Sequence, residues 1–180
     1  QFPVANLYNH EPCYAVRNCN PPMTSNLQTP GPAHPTVKYD IEQFKTYLYM
    51  CMMRGTGFIE LYFSPQMFDE ERYAAAAKVL KWAEDNFDII RNSVFFGDAP
   101  EDGGVYGYYA FDDKRGILAI RNSSDKSAEY QFDHKALTFD DCAYSITQFY
   151  PVAGETEYVG GAQKCVISLK PFEVKLFNIG

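Results

Sequence analysis

The chain changes rhythm near residue 100. Before that point, two apolar runs of strand length, at 2–8 and 57–63, are each followed by a segment with helical periodicity. After it, short alternating runs separated by turn residues continue to the last position. Strands that alternate with helices specify parallel β/α units, and short strands at even spacing specify antiparallel sheets packed face to face. The order therefore predicts an α+β chain, with a β/α segment over 1–97 and a C-terminal antiparallel β-sandwich over 98–180. The β/α part is expected to be the end of something larger, because Gln1 opens almost directly on an apolar run.

Residue by residue, FPVANLY at 2–8 reads as a buried strand, with Asn9, His10, Glu11 and Pro12 beyond its carboxyl end. Pro21, Pro22, Pro30, Pro32 and Pro35 exclude a helix or a central strand from the stretch that follows. Asp40 offers an N-cap to a helix whose Ile41, Phe44, Tyr47, Leu48 and Cys51 share one face, and Gly55 stops it. The second apolar run, GFIELYF at 57–63, carries Glu60 in its middle. Ser64-Pro65 and Asp69 compete to start the next helix. That helix is expected to reach about Asn92, with Ala76, Val79, Leu80, Ala83, Phe87 and Ile90 as its buried stripe and Trp82 packed beside it.

Gly97, Pro100 and Gly103-Gly104 punctuate the boundary. Two strands at 105–111 and 116–122 are joined by the charged, turn-rich Asp112-Asp113-Lys114-Arg115, a good hairpin connection. Further strands are expected at 128–132, 144–150, 155–159, 164–169 and 173–178. Aromatic residues make up 16% of the chain, which suits half-buried pleated surfaces.

Several function classes are excluded at this level. The net charge is −7 and no run of Lys or Arg exists, so a nucleic-acid partner is not expected. No apolar run approaches the ~18 residues of a membrane span. Five cysteines (Cys13, Cys19, Cys51, Cys142 and Cys165) form no CxxC pair, which removes zinc ribbons and thioredoxin-type motifs. Their odd number reads as free thiols in a reducing compartment and so favours the cytoplasm. No dinucleotide fingerprint, P-loop or nucleophile elbow is present, and neither metal nor cofactor is expected.

In parallel α/β architectures the carboxyl ends of strands carry the working groups. Glu60 is the sharpest candidate, because a carboxylate inside an apolar strand is costly to bury unless it is paired or faces a cleft. Its plain alternative is an ion pair with Arg54 or a neighbouring lysine. Tyr62 follows in the same run. His10 beside Glu11 could be a metal pair, an acid/base pair or a sugar clamp. Adjacent positions reach one site only from a loop, and two ligands do not make a zinc site. A solvated loop histidine is the competing account. His34 and His134 have no visible partners. Tyr106 and Tyr108 share one strand face and Tyr109 takes the other, so an exposed Tyr106/Tyr108 face would offer rings to a sugar.

Taken together, YLYMCMMRGTGFIELYFSP, KVLKWAEDNFDIIRNSVFFGDAP, YGYYAFDDKRGILAIRNSS and the closing LKPFEVKLF resemble the carboxyl end of large bacterial glycoside hydrolases. The group is the α-galactosidase and endo-α-N-acetylgalactosaminidase type. LYNHEPCY is similar to the segment at the penultimate barrel strand. The resemblance covers nearly the whole chain. It implies that residues 1 to about 96 are the last two β/α units of a (β/α)8 barrel, followed by an accessory β-sandwich. It also implies that the two carboxylates of glycoside cleavage lie on earlier strands outside this polypeptide. His10, Glu11, Glu60 and Tyr62 would then line the sugar pocket, and this chain alone would hydrolyse nothing. The expected partners are a carbohydrate substrate and the remainder of the barrel, in the same or another chain. A carbohydrate-binding module and a purely structural domain are the rival functions.

Overall fold

The computed structural model describes residues 8–11, 41–61, 69–112, 114–138, 142–161 and 163–180, and of 8–11 it describes the backbone. Strand β1 (Tyr8–Glu11) lies parallel to β2 (Phe58–Leu61), with Tyr8 opposite Phe58 and His10 opposite Glu60. Parallel neighbours cannot be joined by a tight turn, and helix α1 (Ile41–Met52) lies on the connection between them. Helix α2 (Glu70–Asp85) follows β2. The β-α-β-α order expected for the first hundred residues is present. Among the described residues the first strand takes in Tyr8–Glu11, carrying past the expected end at Tyr8, and residues 2–7 lie outside the described set.

Helix α1 has its expected stripe, with Phe44, Leu48 and Cys51 all buried, yet Tyr49, Met50, Met52 and Met53 are buried as well. A helix buried around most of its circumference packs against more than one layer. Here α2 is one neighbour and the large β-sheet the other. Phe44, Leu48 and Tyr49 share a single core cluster with Ala110, Ile117 and Leu176. Gly55 ends the helical segment with φ +75°, and a Cβ there would meet the Ile90 carbonyl at 2.4 Å, so only glycine fits.

Asp69 wins the competition to start α2. Its Oδ1 accepts from the Arg72 backbone N–H at 3.0 Å, and its Oδ2 pairs with the buried Arg72 guanidinium at 2.6 Å. Ser64-Pro65 lies outside the described residues. The helix does not run through to Asn92. At Asn86 (φ −118°, ψ 11°) the side chain turns back and donates to the Trp82 carbonyl at 2.8 Å, and a short helix α3 (Phe87–Ile90) follows. Leu80 and Phe87, expected in the buried stripe, are exposed, whereas Val79 and Ile90 are buried. Trp82 packs edge-on against Tyr49, with centroids 5.0 Å apart.

The rest of the chain forms two antiparallel sheets. The large one has the order β3 (Val94–Gly97), β4 (Val105–Phe111), β5 (Gly116–Asn122), β10 (Val174–Ile179), β7 (Tyr144–Tyr150) and β8 (Thr156–Val159). The small one pairs β6 (Ala128–Phe132) with β9 (Cys165–Leu169). A short helix, α4 (His134–Thr138), sits between β6 and β7. All seven expected sandwich strands are present. Strand β3 was not anticipated. It precedes residue 98 and pairs with β4, so hydrogen bonding crosses the expected division between the two parts.

The large sheet is covered on both faces. Tyr109, Leu118, Ile120 and Phe177 point toward Phe132, Ile167 and Leu169 of the small sheet. Ala110, Ile117, Ala119 and Leu176, one residue out of phase, point toward the helices. That explains why β5 (GILAIRN) reads as a nearly continuous apolar run. In β7 the register shifts opposite Leu176/Phe177, so Ile146 faces the sandwich core while Tyr150 faces the helices.

The β4–β5 hairpin closes as its residues dictate. Asp112 Oδ1 accepts from the backbone N–H groups of Lys114 and Arg115, at 2.8 and 3.0 Å. Fully buried Asn122 ties two further turns together. Its amide donates to the carbonyls of Lys126 and Lys170, at 2.6 and 2.9 Å.

Candidate functional site

Strands β1 and β2 end side by side and point the same way, so their carboxyl ends at Glu11 and Leu61 share one rim. Ile59 and Leu61 pack against the helical core cluster. Side chains alternate along a strand, so Phe58 and Glu60 lie on the opposite face. Phe58 is 57% exposed there, and Glu60 is half-buried. The register sets position 10 opposite Glu60 and position 11 opposite Leu61. The backbone thus brings His10 and Glu60 to one face of the pair. Glu11 holds the position opposite the helix-packed Leu61. Both His10 and Glu11 belong to the strand rather than to a loop beyond it, which differs from the sequence reading. Tyr62 lies outside the described residues.

The face of β2 that meets the helices borders a groove of about 380 Å³, lined by Met52, Ile59, Leu80, Ala83, Phe87 and Ile90 among others. Its walls are mostly apolar, with Thr56 and Glu84 as the polar exceptions. Among the described residues no group of three or more His, Cys, Asp or Glu could hold a metal ion. None of the described helices is long and apolar enough to cross a membrane. Cys51 and Cys165 are buried and Cys142 is exposed, and Cys13 and Cys19 lie outside the described residues.

The aromatic candidates separate by face. Tyr109 is fully buried between the two sheets, and its hydroxyl shares a 3.0 Å hydrogen bond with His134 Nδ1. Tyr144 stacks on the other side of that imidazole, with centroids 4.6 Å apart. His134 therefore has the partners that its sequence context did not reveal. Burial pushes the Tyr109 phenol far above its usual range and the Tyr144 phenol up to about 12, so neither can act as a base near neutrality. Tyr106 and Tyr108 are half-buried on the helix-facing side. Burial raises the Tyr108 phenol, and the Arg54 guanidinium hydrogen-bonded to it opposes the rise. The exposed ring on this face is Phe95 of β3, 53% accessible, which stacks on Tyr106 at 6.1 Å and 26°.

A second, larger depression was not legible from the sequence. It lies where the first turns of α1 meet the ends of β5, β7 and β10, with a volume of about 600 Å³, and Arg121, Glu42 and Phe172 are among its walls. The alternation of β5 showed that Arg121 belongs to the strand, but nothing local showed that it looks into a groove.

No family model matches the sequence, and no curated protein matches it. Solved structures do match the fold. One is a candidate α-N-acetylgalactosaminidase from Bacillus halodurans, similar over 86% of this chain and 35% of its own length, with a TM-score of 0.57 and 12% identity. Another is a GH27 β-L-arabinopyranosidase from Geobacillus stearothermophilus, over 83% and 32%, with a TM-score of 0.56 and 12% identity. A third is α-galactosidase I from Mortierella vinacea, over 78% and 36%, with a TM-score of 0.53 and 6% identity. This chain spans about a third of the length of each. At such identities the likeness concerns the fold: two β/α units joined to an antiparallel two-sheet domain, as in structures of the α-galactosidase type.

Proposed function

We propose that this chain is the carboxyl-terminal portion of a glycoside hydrolase acting on α-linked sugars. Residues 1–97 would supply the last two β/α units of a closed barrel, and 98–180 a supporting sandwich. The observation that carries this reading is the fold likeness, which takes in most of this chain but only about a third of each matched enzyme. The β1/β2 pair adds physical support. Parallel sheets occur almost only with both faces covered and with further strands beside them, and the two-strand pair here has its described helices on one face. In a closed ring the other face would be the interior. There His10 and Glu60 would hold sugar hydroxyls while carboxylates on the missing strands cleave the bond. The partners are then a carbohydrate and the rest of the barrel, and the sandwich braces the helices that carry the ring's last strands.

The experiment has two arms. The 180-residue chain is assayed on aryl α-galactoside, α-N-acetylgalactosaminide and β-L-arabinopyranoside, and no turnover is expected. The same assays on the polypeptide extended upstream in its own reading frame should give turnover on at least one of them. In that longer protein Glu60→Gln should raise KM by about tenfold with kcat little changed, as expected for the loss of a charged hydrogen bond to bound sugar. Turnover by the short chain, or none by the extended one, defeats the proposal.

A further inference from the structure

We propose that the groove between α1 and the ends of β5, β7 and β10 binds a short neutral glycan, at a site separate from the β1/β2 rim. Its volume of about 600 Å³ is in the range of small-molecule sites. At its wall stands Arg121, on the helix-facing side of β5, with Tyr106 opposite on one neighbouring strand and Val174 on the other. The Arg121 side chain is half-buried, and its Nε is wholly shielded with no hydrogen-bond partner among the described residues. The Nε itself is out of a ligand's reach, and it is the half-exposed remainder of the Arg121 side chain, which lines the groove, that a ligand oxygen would meet.

The remaining lining names the class of ligand. Glu42 and Glu173 balance Arg121 and the Lys45 that pairs with Glu42, so the groove carries no net positive charge to hold an anion. Both carboxylates are already fixed in place. Lys45 pairs with Glu42 at 2.6 Å, and the Lys170 backbone N–H donates to Glu173 at 2.7 Å. Tyr150 closes the inner side, its hydroxyl within 2.9 Å of Thr46 Oγ1 and donating to the Glu42 carbonyl at 3.2 Å. Guanidinium donors and carboxylate acceptors lining one groove match vicinal hydroxyls, which both donate and accept. Phe172 adds a ring at the rim. It is 57% exposed and sits at φ +56°, a left-handed conformation that is an outlier for an aromatic residue. An exposed ring held at such cost offers a face to a sugar. The site shares only its ligand class with the proposed hydrolase.

The test is a titration of the full chain, followed by amide chemical shifts, with melibiose, maltotriose and inorganic phosphate as separate probes. One of the two sugars should shift groove residues at millimolar concentration. Arg121→Ala should weaken it by about tenfold or more, and Arg121→Lys should not restore it, because an ammonium lacks the fork. Phe172→Ala, at an exposed position where folding is not at risk, should weaken it several-fold. Glu60→Gln should leave the titration unchanged, so failure at the β1/β2 rim and failure here read out separately. The proposal is overturned if neither sugar binds, if sugar binding ignores both Arg121→Ala and Phe172→Ala, or if phosphate binds the groove in preference to the sugars.

Discussion

The large antiparallel sheet and the β1/β2 pair differ in where their packing partners are. The large sheet has the small sheet on one face and the helices on the other, both supplied by this chain. The parallel pair has described helical packing on one face only, through Ile59 and Leu61, while Phe58 on the other face is exposed. The first region is complete as a physical object. For the second, the described residues supply packing on one face only. The difference teaches where function is to be sought, since Glu60 sits on the face of β2 that the helical core does not take up, and a carboxylate within an apolar strand needs a partner or a cleft.

The largest effect that can break this comparison lies in the sandwich core. Phe132 is fully buried and packs edge-on against Tyr109 and Phe96. Phe132→Ala should cost about 3–5 kcal/mol, lost burial and the residual cavity together. Phe58→Ala, on the open face of β2, should cost no more than about 0.5 kcal/mol. Urea unfolding of the two variants beside the parent measures both. Equal losses would mean that Phe58 is covered in solution and that the parallel pair is as complete as the sandwich.

The joint between the regions is next in size. Gly55 closes the α1 segment against the α3 backbone, with no room for a Cβ and with φ in the left-handed region. Gly55→Ala should cost about 1–3 kcal/mol. It should also loosen α1 before the sandwich, visible as hydrogen exchange rising at Leu48 and Cys51 while Leu118 and Ile120 stay protected. Uniform loss of protection would show that the two regions unfold as one unit and that the division between them is only topological.

The same contrast governs how much could be read from the sequence. In the sandwich, local chemistry and tertiary structure agree. The Asp112 turn and the alternation of β4 and β9 are visible in neighbouring residues. Strand β3 escaped because four residues, VFFG, carry no period, and only pairing with β4 makes them a strand. The break at Asn86 escaped because the apolar spacing runs through it, and the side-chain bond to Trp82 decides otherwise. Around the candidate sites the sequence is informative where one residue violates its surroundings, as Glu60 does inside GFIELYF. It is silent where the signal is a missing partner. Arg121 looks like an ordinary polar residue near a strand end, and its shielded Nε exists only once β5, β10 and α1 have met.

The smallest effect sharpens the comparison from the complete side. In the β4–β5 hairpin the Asp112 carboxyl is held below the usual carboxylate range, chiefly by the backbone N–H of Lys114 and then by that of Arg115. A carboxyl whose folded pKa lies below its unfolded value contributes stability that is fully present above the unfolded value. That contribution is lost as pH falls from there through the folded one. Asp112→Ala should therefore lower the thermal midpoint slightly at neutral pH. The gap to the parent should shrink as pH drops below the ordinary aspartate value of about 3.9. Because the group is fully exposed, the gap is small and depends on the turn's two N–H bonds rather than on any distant charge, so added salt should leave most of it in place. A gap that widens on acidification, or that salt removes, would mean that the hairpin is held by something other than its own turn chemistry, and the claim that this half is locally self-specified would fail at its simplest element.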